Sequence, residues 1–171
     1  MRVIVLPAVL KRAFAALLLA AVSGCAAVAY VKDALFPPLP RLQLGDVHVL
    51  TDAAANLNTA VELEIIFVLH QDVLKKVTEL TATKWFELRE DVRKTYPGGF
   101  ESHKWELVPG QDLRLPALQF KDKRALAAVV FANYLTPGEH RARIDGFAGG
   151  VVIRLLPRGF TVTARGDGVP R

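Results

Sequence analysis

The chain offers few residues able to do chemistry. Downstream of Cys25 there is one serine, Ser102, and it sits beside His103. A serine nucleophile needs a base within hydrogen-bond reach. Neighbours on a strand point to opposite faces, so this pair cannot supply one. The four histidines, His48, His70, His103 and His140, show no H-x-H or H-x-x-x-H spacing that would set two imidazoles on one metal. The carboxylates occur singly or in helical charge patterns such as Glu87, Glu90 and Asp91, with no spacing that pairs an acid with a base. Gly166-Asp167-Gly168 is followed by no helix and makes no phosphate cradle. The sequence therefore leads us to expect no catalytic residue, no metal ligand and no cofactor.

Cys25 is different, because of what precedes it. Residues 1–24 carry Arg2, Lys11 and Arg12, no acidic residue, and an apolar run from Ala13 to Val22. That run suits the core of a signal peptide and falls short of the ~20 apolar residues a spanning helix needs. Val22-Ser23-Gly24-Cys25 then resembles the lipobox of bacterial lipoproteins. In those proteins the cysteine thiol takes a diacylglycerol and becomes the mature N-terminus. The competing reading is an uncleaved anchor from about Ala13 to Tyr30 with Cys25 buried as a small hydrophobe. Position 26 is Ala, not Asp; by resemblance to lipoprotein sorting in enteric bacteria, that implies an outer-membrane destination facing the periplasm.

The same segment decides what the charge means. The 171-residue chain is 51% apolar and 23% charged, with a net charge of +5, which excludes a disordered polar chain. Without residues 1–24 the balance is 19 basic against 17 acidic groups, so nucleic-acid binding loses most of its electrostatic support. One cysteine also forbids an internal disulfide.

The elements that follow read as one domain behind a spacer. Pro37, Pro38 and Pro40 mark residues 25–44 as an acylated N-terminus and semi-rigid tether. Period-two patterns place strands at Val47 and Val49, at Val61 to Leu69, at Lys104 to Val108, and at Leu113 and Leu115. Further strands fall at Ala125 to Tyr134, His140 to Ile144, Val151 to Leu155 and Phe160 to Ala164. In Val61 to Leu69 the odd positions are all apolar. The even face begins with Glu62 and Glu64 and ends with Ile66 and Val68, so a neighbouring segment must cover its second half. The expected cover is helical, Asp72 to Tyr96 in two pieces, with stripes Val73, Leu74, Val77, Leu80 and Trp85, Leu88, Val92, Tyr96. Asp72 and Thr83 are the expected N-caps, Glu90 and Lys94 an i,i+4 pair, and Pro97-Gly98-Gly99 the stop. Arg141 and Arg143 should face solvent, and Trp85 and Trp105 the core. The expected organisation is a lipoprotein signal peptide (1–24), the tether (25–44), a mostly-β sandwich with a helical insertion after the second strand (45–165), and a frayed tail (166–171).

Lipobox, tether, sandwich and insertion together resemble the TssJ-type outer-membrane lipoproteins of bacterial type VI secretion systems. Leu57-Asn58 before Val61-Glu62-Leu63-Glu64-Ile65-Ile66, Trp105-Glu106-Leu107-Val108-Pro109-Gly110, and Ala127 to Tyr134 carry the likeness. The resemblance implies a transthyretin-like sandwich, held in outer-membrane lipid through acylated Cys25, that docks the periplasmic region of the inner-membrane subunit TssM. It implies neither a small-molecule substrate nor a nucleic-acid partner. In that family the loop between the first two strands makes the contact. Here it maps to Thr51 to Ala60, with Asp52, Asn56, Leu57, Asn58 and Thr59 as partner-binding candidates. Two departures stand out: Thr59-Ala60 occupy the place where the family usually has Pro and a longer insertion, and the helical region is long enough to be a rival docking surface. A periplasmic binding module and a pilotin-like assembly factor are the alternative readings, the first requiring a pocket of ~300 Å³ or more with convergent polar groups.

Overall fold

The computed structural model describes residues 38–120 and 122–165. The expected signal peptide (1–24), Cys25, most of the tether and the tail at 166–171 lie outside them. No described helix is long and apolar enough to cross a membrane.

Two four-stranded sheets face each other. One has the order β4-β1-β7-β8, from Val47–Thr51 (β1), Asp112–Leu115 (β4), Val151–Leu156 (β7) and Gly159–Ala164 (β8). The other has the order β3-β2-β5-β6, from Val61–Val68 (β2), Phe100–Leu107 (β3), Ala127–Asn133 (β5) and Arg141–Arg143 (β6). All pairings are antiparallel except β1 with β7, which run parallel from Val47 opposite Val151 to Thr51 opposite Leu155. The expected mostly-β sandwich with a helical insertion after the second strand is what the chain forms.

Strand β2 shows why. Its odd residues, Val61, Leu63, Ile65 and Phe67, point between the sheets and meet Val49, Val130 and Ile153. Its even residues point to the other side, where α1 (Gln71–Glu79) and α2 (Ala82–Thr95) lie across the sheet. Ile66 and Val68 join Val73, Val77, Trp85 and Phe131 there in a second core. The cover extends further than the sequence pattern requires, because α2 also lies over Glu62 and Glu64.

Several details differ from the sequence reading. Helix α1 starts one residue before Asp72, and α2 is capped by Thr81, whose hydroxyl accepts from the Lys84 N–H at 3.3 Å. Thr83 is already inside the helix. The exposed ion pairs on α2 are Lys84 with Glu87, Glu90 with Arg93 and Asp91 with Lys94, all spaced i,i+3, not Glu90 with Lys94. Strand β3 begins four residues before Lys104, because Phe100 pairs with Val68 and buries its ring beneath α2. Trp105, on that edge strand, is half-buried against the core instead of enclosed. Arg141 is turned towards the helical layer and donates to the Val77 carbonyl at 2.9 Å. Arg143 forks onto Asp145 at 2.8 and 3.0 Å, which holds its guanidinium above the ordinary range. The packed body also takes in residues 39–44, assigned to the tether by composition: Leu44 is buried, and Arg41 bridges to Arg124.

Candidate functional site

All four strand-to-strand connections that join β1 to β2, β3 to β4, β5 to β6 and β7 to β8 meet at one end of the sandwich. The chain enters at the other end, where residues 41–46 lie beside the β4–β5 and β6–β7 connections. Hydrogen bonds lock the four-loop end together. Leu57 N–H donates to the Pro157 carbonyl at 3.1 Å, Gly110 N–H to the Thr51 carbonyl at 3.1 Å, and the Thr136 hydroxyl to the Arg158 carbonyl at 3.0 Å.

Every partner-binding candidate of the 51–60 loop sits here, but they do different work. Asp52 turns the chain, its carboxylate accepting from the Ala54 N–H at 3.0 Å. Asn56 is buried. Its amide nitrogen donates to the Ala60 carbonyl at 2.8 Å and its amide oxygen accepts from the Leu135 N–H at 2.7 Å, so it ties its own loop to the β5–β6 connection. Thr59 is exposed, and its hydroxyl donates back to the Asn56 carbonyl at 2.6 Å. Asn58 is exposed, leaving Leu57 and Asn58 as the central residues open to a partner.

The turn Ala55–Asn58 is left-handed. Asn56, Leu57 and Asn58 have φ of 48°, 56° and 67° in succession. Asn tolerates that region, but in Leu the Cβ crowds the following carbonyl at a cost of about 1–2 kcal/mol. A strained residue persists only where its surroundings over-determine it. Here the Asn56 clamp and the Leu57–Pro157 bond do so, and the result is an apolar side chain held out in water. Leu57 is 49% exposed, and Leu135 (66%) and Val108 (55%) stand on the adjoining loops. The β5–β6 and β3–β4 contributions could not be singled out from sequence, where Leu135 and Val108 look like strand ends.

We expect Asn56→Ala to destabilise the domain by about 1–3 kcal/mol in urea denaturation, because it strands the Leu135 N–H and the Ala60 carbonyl. Asn56→Asp should be no milder, because a carboxylate oxygen would face the Ala60 carbonyl, acceptor against acceptor, in a buried site. A loss below about 0.5 kcal/mol for Asn56→Ala would mean the clamp does not set the loop.

The remaining chemistry-bearing residues do not converge. Ser102 accepts from Arg93 at 3.2 Å on the helix side, while the His103 ring lies on the other side, stacked on Trp105. His48 Nε2 is buried 3.6 Å from Asp112. His140 stacks on Tyr134 with ring centroids 4.7 Å apart. Burial pushes the Tyr134 phenol up to about 12, even though its oxygen accepts from the Leu156 N–H. No group of three or more metal-ligating side chains occurs among the described residues. The grooves are open: one of about 280 Å³ lined by Glu62, Lys104, Trp105 and Glu106, and one of about 350 Å³ lined by Leu44, Gly45, Ala117, Leu118 and Ala148, with no polar side chain.

One polar cluster is buried, and it joins the layers. Trp85 N–H donates to Glu64 at 2.9 Å, and Arg89 Nη1 reaches both Glu64 (3.0 Å) and Glu62 (2.7 Å). Glu64 is fully buried, and its other oxygen has no partner among the described residues. Burial alone would lower the Arg89 pKa. The hydrogen bonds and charges of Glu62 and Glu64 outweigh it and hold the guanidinium above its ordinary value.

The class of fold is the sandwich seen in type VI secretion lipoproteins. The structure superposes on the type VI secretion lipoprotein TssJ1 from Pseudomonas aeruginosa with a TM-score of 0.55 and 15% identity, over 72% of this chain and 96% of that one. It is similar to a chain of a type VI membrane complex (TM-score 0.54, 14% identity, 70% and 98% covered). It also matches a structure of the TssM C-terminal domain from EAEC (TM-score 0.50, 13% identity, 69% and 95% covered). No family model and no curated protein matches the sequence.

Proposed function

We propose that the chain is an outer-membrane lipoprotein of TssJ type, a docking subunit of the type VI secretion membrane complex that binds the periplasmic region of the inner-membrane subunit TssM. The observation that carries this reading is the rigid four-loop end, which shows three apolar side chains to solvent opposite the point of chain entry. The fold shared with TssJ1 supports it. So does the sequence pattern at Cys25, which would fix the entry end to lipid and leave the loop end facing away from the bilayer.

Contact is made by Leu57, Leu135 and Val108, with Asn58 at the rim and Asn56, Asp52 and Thr59 holding the loop in shape. Exposed apolar groups on a preorganised surface lose little entropy on binding, and a buried anchor residue commonly dominates the affinity. Leu57→Asn tests this without harming the fold, because Asn accepts the left-handed backbone at least as well as Leu. The melting temperature should hold or rise, while affinity for the periplasmic region of the cognate TssM should fall ten-fold or more by surface plasmon resonance. Unchanged affinity would remove Leu57 from the interface and the 51–60 loop with it.

A further inference from the structure

The sandwich has four edge strands, and three carry the features that discourage a further strand from pairing. β3 bears Glu101, Lys104 and Glu106; β4 is four residues long, bears Asp112 and Arg114 and ends at Pro116; β6 has three residues, two of them Arg. β8 differs: it runs six residues, Gly159-Phe160-Thr161-Val162-Thr163-Ala164, with neither charge nor proline.

Its free groups can be assigned. Arg165 N–H donates to the Gly150 carbonyl, and the β7–β8 register continues that pairing with Ala164 opposite Val151. Hydrogen-bonded pairs alternate along an antiparallel ladder, so Gly159, Thr161 and Thr163 bond to β7. Phe160, Val162 and Ala164 therefore turn their N–H and C=O outwards, and among the described residues β8 has no neighbour but β7. The same three residues send their side chains inwards. Phe160 and Val162 pack on the core yet stay only partly buried, as expected where no strand lies beside them.

We propose that β8 is an acceptor edge, which takes an extended segment of the periplasmic partner by strand addition. The segment would be uncharged over about six residues, to match β8, and acidic at its ends. Arg158 lies in the turn before β8, Arg165 follows it, and Arg154 stands beside Thr161 on the outer face. Asp46 pairs with Arg165, so a cationic surplus frames the strand. A second copy of this chain would bring the same three guanidinium groups to the seam, which favours a partner of opposite charge. The inference rests on the docking reading above and adds a second contact to it.

The test is residue-resolved amide exchange by NMR on the full chain carrying Cys25→Ser, alone and with the periplasmic region of the cognate TssM. Alone, the amides of Phe160, Val162 and Ala164 should exchange at least ten-fold faster than those of Thr161 and Thr163. In the complex they should slow at least ten-fold, reversing that alternation. A complex that forms while these three amides stay fast overturns strand addition and leaves docking standing. If no complex forms, docking and strand addition both fail. Protection that grows with the concentration of the chain alone would assign the edge to self-association and overturn the proposal.

Discussion

Arg89→Leu is expected to cost about 3–5 kcal/mol in urea denaturation, a large share of what a domain this size has to lose. The Arg89 side chain reaches from α2 onto two carboxyl groups of β2, one of them on the fully buried Glu64. Removing the guanidinium leaves that group in an apolar layer with only the Trp85 N–H as partner. The measured loss would reflect the stranded partner more than the worth of the contact, because ion pairs in dry surroundings return little beyond their desolvation. Adding Glu64→Leu to the variant should therefore restore most of the stability. A double variant no better than Arg89→Leu alone would show that the cluster contributes through packing. Trp85, stacked on Phe131 at 5.0 Å and edge-on to Phe100 at 5.2 Å, would then be the more important member.

Cys25→Ser should move the protein from the membrane fraction to the soluble periplasm and abolish secretion. Burial of acyl chains is worth ~0.8 kcal/mol per CH₂, so one chain holds a protein marginally, and several hold it for good. On the lipoprotein proposal, serine offers no thiol for the diacylglycerol, and the whole anchor would be lost in one substitution. Mass spectrometry of the wild-type N-terminus and fractionation of the variant read the two halves separately. An unmodified thiol, or a variant that still sediments with membranes and still supports secretion, would refute the anchor.

The strands were legible in the sequence because their alternation is a direct consequence of which side is dry. Val61 to Val68 shows this, with both faces assigned from eight letters. The helical cover was legible too, since Ile66 and Val68 needed partners and Val73, Val77 and Trp85 supplied them. The depth of that cover was not: Glu62 and Glu64 read as a wet end of the strand, and only the three-dimensional path of α2 sets Arg89 and Trp85 over them. The same blindness hid Arg141, whose alternation fits a solvent face but whose guanidinium finds a helix carbonyl 64 residues away. In the candidate site, the loop was located by resemblance, yet nothing in Ala-Asn-Leu-Asn announces three left-handed residues in a row. Leucine is a poor signal for that geometry, and it is the Asn56 clamp, made to a residue 79 positions on, that enforces it.

The parallel pairing of β1 with β7 bears on how such a chain is born. The strand next to the point of entry lies between β4 and β7, and its partner in β7 is Val151 to Leu155. Contacts this distant along the sequence close slowly, because the loop must be drawn in before it is rewarded. For a polypeptide threaded through a translocon from its amino end, the first sheet stays open until nearly the last residues have emerged. If the chain is exported as proposed, this topology would leave it pliable while it crosses and lock it only on arrival.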